Sequence, residues 1–147
     1  MDRLLAISNI ALSNTFALYF KIHSYHWNIE GSSFPQYHDF LNDAYQEIYE
    51  SVDTYAEFIR ALGAYAPISL PDIIKYKSIS DDSAKPKTAI DMFNSLISSN
   101  NIMIETLNSN FKEAVDNNEQ GFASFIADRL IAHKKLAWKL NSIVKKG

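Results

Sequence analysis

The chain contains no cysteine. Disulfides, thiolate nucleophiles and Cys-ligated zinc or iron–sulfur centres are therefore excluded, and a transition metal would have to sit on His nitrogen and carboxylate oxygen. Glycine and proline number only four each in 147 residues. That is too few for a sandwich or barrel that turns roughly every ten residues, and it favours a few long helices. No stretch approaches the roughly 20 apolar residues of a membrane span. The start, Met1 to Asn9, has an acid early and polar residues inside its apolar run, unlike a secretory leader. A reducing cytoplasm is the expected compartment. A strong basic balance is also missing, the net charge being -3. Nucleic-acid binding leaves a basic footprint, and the local ones here are Lys145-Lys146 and, further in, Lys134-Lys135. Lysines near a helix C-terminus suit its dipole, so little DNA binding is expected.

What is present is 47% hydrophobic and 21% charged residues, the composition of one folded domain over 1–147 with room for a real core. Four long helical segments can be read. The first runs from about Asp2 to Ile29, with apolar Leu4, Ala11, Leu18, Ile22 and Ile29, and is broken by Glu30-Gly31-Ser32-Ser33, Gly31 suiting a left-handed cap. The second starts after Ser33 with Pro35 in its first turn and continues to Leu62. Its residues Tyr37, Leu41, Ala44, Ile48, Val52, Tyr55, Ile59 and Leu62 are spaced by threes and fours and form one core-facing stripe. The connection from Gly63 to Lys87, with Pro67, Pro71 and Pro86, is too long for a turn between antiparallel neighbours. A short helix over Ser69 to Tyr76, capped by Ser69, fits inside it. The third helix begins near Thr88, which with Asp91 resembles a capping box, and fades around Asp116-Asn117-Asn118. The fourth runs from about Glu119 to Val144. The expected fold is all-α, two hairpins of helices roughly 40 Å long joined by a long crossover, as in a ferritin-like four-helix bundle.

Metal chemistry without cysteine needs clustered His, Asp and Glu. The histidines are His23, His26, His38 and His133, and the residues three before them are Phe20, His23, Pro35 and Leu130. None is Glu, so the Glu-x-x-His signature of a di-iron centre inside one bundle is absent. Asp53 and Glu57 are four apart, hence neighbours, and lie nearly opposite the core stripe of their helix. His38 lies between that face and the stripe, and His26 closes the preceding helix. Carboxylates facing away from a core ordinarily meet water. Yet the same face carries Tyr45, Tyr49 and Ala56, more apolar than solvent requires, and a partner subunit covering it would explain both observations.

The run Tyr25-His26-Trp27-Asn28-Ile29-Glu30-Gly31, then Tyr37-His38, then Val52 to Gly63 with Asp53 and Glu57, resembles the Dps family, the DNA-binding proteins from starved cells. The pattern is His-Trp-Asn, a second His twelve residues on, Asp fifteen further, and Glu four beyond that. His133-Lys134-Lys135-Leu136-Ala137-Trp138 is similar to the family's His-x-Lys-x-x-Trp segment, so the likeness spans most of the chain.

The resemblance implies a shell of twelve four-helix bundles, with a short helix in each middle crossover. It implies ferroxidase sites at two-fold interfaces, His26 and His38 from one chain facing Asp53 and Glu57 of its mate. Iron(II) would be oxidised there by hydrogen peroxide, two irons per site, and stored as ferric mineral in the cavity. Imidazole and carboxylate suit both oxidation states of iron. Trp27, beside His26, would either pack the interface or trap stray oxidising equivalents. One departure stands out: where the family commonly has an acid four residues after the second histidine, this chain has Asn42, a weaker ligand, so a second iron is expected to be loosely held. His23 reads as a polar core or interface residue and His133 as a packing and hydrogen-bonding one. Asp116, Glu119 and Asp128 either line an acidic iron-entry pore, as in the family, or are solvated helix-end acids. Two other functions remain open at this point: a DNA-compacting architectural protein, and a cage that binds metal with weak or no ferroxidase activity.

Overall fold

The computed structural model describes residues 1–82 and 87–145; Pro86 of the crossover and Lys146 of the basic pair lie outside the described residues. The elements are α1 (Asp2–Asn28), α2 (Phe34–Ala61), α3 (Leu70–Tyr76), α4 (Ala89–Asp116) and α5 (Gln120–Val144). The fold is the expected all-α bundle, four long helices with one short helix in the crossover between the second and third of them. Among the described residues no helix is long and apolar enough to cross a membrane.

Local chemistry sets the boundaries. The Thr88 hydroxyl accepts from the Asp91 amide at 3.1 Å and starts α4. At α3, the Ser69 hydroxyl accepts from the Asp72 amide while the Asp72 carboxylate accepts from the Ile68 amide, so two otherwise orphaned donors are satisfied reciprocally. Gly31 and Gly63 follow α1 and α2 with φ of 123° and 93°, a region that side chains with a Cβ avoid.

The periodic residues form the core. Leu4, Ala11, Leu18 and Ile22 of α1, with Ile29 at its cap, meet Leu41, Ile48, Tyr55 and Ile59 of α2, all essentially inaccessible to solvent. Each buried Leu or Ile side chain contributes about 1.5–3 kcal/mol by leaving water. Helix α1 packs on α2, α3 and α4, and α4 packs on α5. Helices α2 and α5 are bridged instead by large rings, Tyr55 and Phe58 meeting Phe122 and Phe125 with centroids 4.9–5.7 Å apart.

Buried polar groups pin the crossover across α1. The Asn14 carbonyl oxygen accepts from the amides of Ser78 and Ile79, and its amide nitrogen donates to the hydroxyls of Ser78 and Thr106. Nearby, the Tyr25 hydroxyl donates to Asp82, and the Lys21 ammonium lies 3.6 Å from the same carboxylate and 2.9 Å from the Ser99 hydroxyl. Burial works against the charge of Asp82, but Tyr25, Lys21 and Lys87 outweigh it and hold the carboxyl below its usual range.

Candidate metal centre

His26 lies in the last turn of α1 and His38 near the start of α2, on either side of the break at residues 29–33. The break folds α2 back so that the two rings stack, centroids 3.7 Å apart and planes 15° from parallel. Each Nδ1 points at the other residue's backbone carbonyl, at 2.9 Å from His26 to His38 and 2.7 Å in return. A carbonyl oxygen carries no hydrogen, so each Nδ1 must bear the proton and donate. In the neutral rings both Nε2 atoms then keep their lone pairs. The bond to the His26 carbonyl also satisfies one of the acceptors that the end of α1 leaves unpaired. The turn between the helices thus yields two fixed, half-buried imidazoles of defined tautomer, the arrangement that orients a metal-ligating histidine.

Asp53 and Glu57 are exposed, one turn apart on α2. Fifteen residues of straight helix separate Asp53 from His38, about 22 Å at 1.5 Å per residue. One chain therefore cannot bring the two pairs together, and among the described residues no group of three or more His, Asp or Glu is placed to hold a metal. Asn42, one turn after His38, accepts a hydrogen bond from the Gln46 amide at 3.0 Å and donates to Asp43 at 3.4 Å. Its acceptor oxygen is already engaged. Asp116 is paired with Lys112 at 2.5 Å, Glu119 stands at the N-cap position of α5 without a side-chain capping bond, and Asp128 is exposed two and a half turns further along that helix.

Tyr45 and Tyr49 on the acidic face of α2 are joined by rings from α1, which the spacing on α2 alone does not disclose. The His23 ring stacks on Tyr45 at 3.8 Å, and Tyr19 lies 4.9 Å from Tyr49 and 6.0 Å from Tyr45. Trp27, more than half exposed, lies 4.2 Å from His23. The signal was available: Tyr19, His23 and His26 are spaced by four and three, which places them on one side of a helix.

His133 contrasts with the pair. It is buried, donates from Nδ1 to the Asn100 carbonyl oxygen at 2.9 Å, and accepts at Nε2 from Arg129 at 3.2 Å. Arg129 in turn grips Glu47 of α2 with two bonds of 2.6 and 2.9 Å. Burial, then the Arg129 charge, pushes the imidazole down to about 3. Both ring nitrogens are used by the fold, as expected of a packing and hydrogen-bonding residue.

The model of the ferritin-like domain matches residues 6–147. Antigen TpF1 from Treponema pallidum is 30% identical over 132 residues, 87% of this chain and 72% of that protein. The structure of Dps from Thermosynechococcus elongatus superposes with a TM-score of 0.95 at 20% identity, covering 99% of this chain and 92% of that one. A Dps protein from Vibrio cholerae O1, described as a member of a broad superfamily of ferritin-like diiron-carboxylate proteins, gives a TM-score of 0.91 at 24% identity over 98% of this chain and 90% of that one.

Proposed function

The chain belongs to the Dps branch of the ferritin-like family, and on that premise we propose that it stores iron and oxidises Fe(II) at sites shared between two copies of itself. The observation that carries this reading is the His26–His38 pair, two stacked imidazoles whose Nδ1 atoms are tied to carbonyls and whose Nε2 lone pairs are left for a ligand. A two-fold axis crossing α2 near Tyr45 and Gln46, midway between His38 and Asp53, would set the histidines of one chain against Asp53 and Glu57 of the other, twice per interface. It would also cover Tyr45 and Tyr49.

Iron is substrate and cargo here. The donor set, two imidazoles and two carboxylates, accepts Fe(II) and favours the harder Fe(III) that leaves. The chain's own part is to fix ring orientation and tautomer, to bring carboxylate charge, and to exclude bulk water with the tyrosine face. With hydrogen peroxide as oxidant, two Fe(II) each give one electron, and the peroxide with two protons becomes two waters. The ferric product is stored inside a hollow homo-oligomeric shell, a dodecamer in this reading. Asn42 favours a more limited version, a cage holding one iron firmly at each site, because a neutral amide already bonded to Gln46 offers little to a second.

The test is anaerobic Fe(II) addition followed by peroxide, with ferric absorbance followed in time. Subunits lacking His26 and His38 are then co-assembled with subunits lacking Asp53 and Glu57. Each alone should be inactive, while a mixed pair carries one intact site. Random pairing should restore about a quarter of wild-type activity, from the symmetry of an isologous interface. No recovery on mixing would reject the shared site.

A further inference from the structure

The aromatic cluster beside the histidine pair has a feature that iron binding does not use. The Tyr19 hydroxyl lies 3.0 Å from Nδ1 of His23, one turn along α1. His23 is stacked on Tyr45, and the Tyr45 ring is 5.4 Å from His26. Tyr19 itself lies 5.6 Å from His23 and 6.0 Å from Tyr45. An unbroken path of ring contacts therefore joins a phenol to an iron ligand, and the phenol has an imidazole on its hydroxyl. Tyr25 and Tyr55 direct their hydroxyls instead to Asp82 and Asn110.

A phenol gives up an electron readily only if its proton has somewhere to go. In the Nε2–H tautomer His23 presents a lone pair at Nδ1 to the Tyr19 hydroxyl. We infer that Tyr19 is a redox-active residue of the iron site: it supplies one electron to peroxide there while its phenolic proton passes to His23. The inference rests on the proposed ferroxidase reading and explains how one firmly held iron can reduce peroxide by two electrons. In the first step Fe(II) and the Tyr19 phenol each lose one electron. The O–O bond of hydrogen peroxide breaks, and hydroxide and water form, the water taking up the phenolic proton by way of His23. The products are Fe(III) and a neutral phenoxyl radical. In the second step another Fe(II) reduces the phenoxyl, which regains a proton through His23. Two Fe(II) are consumed per peroxide and no hydroxyl radical is released. Burial, reinforced by Tyr49 and Tyr45, raises the phenol's pKa, so Tyr19 waits in its protonated form.

The protein is loaded anaerobically with one Fe(II) per subunit, mixed with peroxide and frozen rapidly for electron paramagnetic resonance, with ferric absorbance followed in parallel. Wild type and Trp27→Phe should give a transient phenoxyl radical. Tyr19→Phe, which keeps the ring and its packing, should lose that signal while still forming Fe(III). In metal-free protein photolysed in the frozen state, one phenoxyl should couple to an exchangeable proton, and that coupling should be missing from Tyr19→Phe and from His23→Phe. An undiminished phenoxyl signal in Tyr19→Phe, or Fe(III) formation by wild type without any phenoxyl, would overturn the inference and leave the ferroxidase reading intact. A wild type that forms no Fe(III) overturns both.

Discussion

The histidines of this chain occupy two kinds of place, and the hydrogen bonds of each decide what it can do. His133 is enclosed between α4 and α5, and Asn100 and Arg129 use both of its ring nitrogens. His26 and His38 each spend Nδ1 on a carbonyl and keep Nε2. The first place is complete within one chain and reaches α2 through Arg129 and Glu47. In the proposed reading the second is half a site, the carboxylates that would complete it lying about 22 Å along the same helix by the α-helical rise. A polar group whose bonds are all made inside the fold stabilises the fold, and one held in place with a lone pair to spare can bind.

The two places differ most under truncation. His38→Ala should slow ferrous oxidation by about 100-fold or more, since even the partners behind a metal ligand cost 10–100-fold when removed. It should cost the fold only about 0.5–1.5 kcal/mol, one hydrogen bond's worth. His133→Leu should do the reverse. It leaves the Asn100 carbonyl oxygen without its donor and part of Arg129 unsatisfied in the interior, at a cost of about 2–4 kcal/mol, with ferrous oxidation per folded subunit unchanged. Denaturant midpoints at fixed subunit concentration, set beside initial rates, separate the two. A His133→Leu protein that is stable but inactive would collapse the distinction.

The buried histidine also predicts a pH dependence. In the folded chain His133 stays neutral down to about 3, whereas the unfolded chain takes up a proton below the ordinary value of about 6.5. Between those limits the unfolded state holds one more proton. Stability should therefore fall as pH falls through this window, by up to about 1.4 kcal/mol per pH unit from this group, and the loss should level off below about 3. The groups facing it are Arg129 and, through Arg129, Glu47. His133→Leu should remove this part of the slope; an unchanged slope would show that other groups set it.

How far the sequence carried depends on the range of the interaction involved. The stripe on α2 was readable because a helix repeats every 3.6 residues and a core accepts only one face of it. The caps at Ser69 and Thr88 were readable because a cap and its amide are three residues apart. The exchange of bonds between His26 and His38 was not, because it depends on the angle at which residues 29–33 return α2 to α1. Nor was the anchoring of the crossover by Asn14, whose partners Ser78, Ile79 and Thr106 are 64 to 92 residues away. The candidate ligands were legible through family resemblance, since spacing alone left Asp53 and Glu57 as ordinary surface acids. In the proposed reading their completion into a site lies on a second chain, which neither sequence periodicity nor one folded subunit can supply.

The smallest expected effect concerns Asn42. Asn42→Asp changes one atom type at constant shape and places a carboxylate one turn after His38, where the amide oxygen now takes a bond from Gln46. The new charge gains an ion to bind, but it sits beside Asp43 and one turn from Asp39 on an exposed helix face. In metal-free protein that crowding should cost a few tenths of a kcal/mol, the ordinary size of like-charge pairs on a helix. With Fe(II) present the sign should reverse, since a ligand that binds only the folded form raises its stability. Anaerobic titration should show the iron held per subunit rising from near one towards two, with a modest gain in initial rate and a weaker phenoxyl signal as a second iron replaces Tyr19 as electron donor. If the count stays at one, Asn42 is not what limits the second position, and the limit must lie in the carboxylates that the other chain brings.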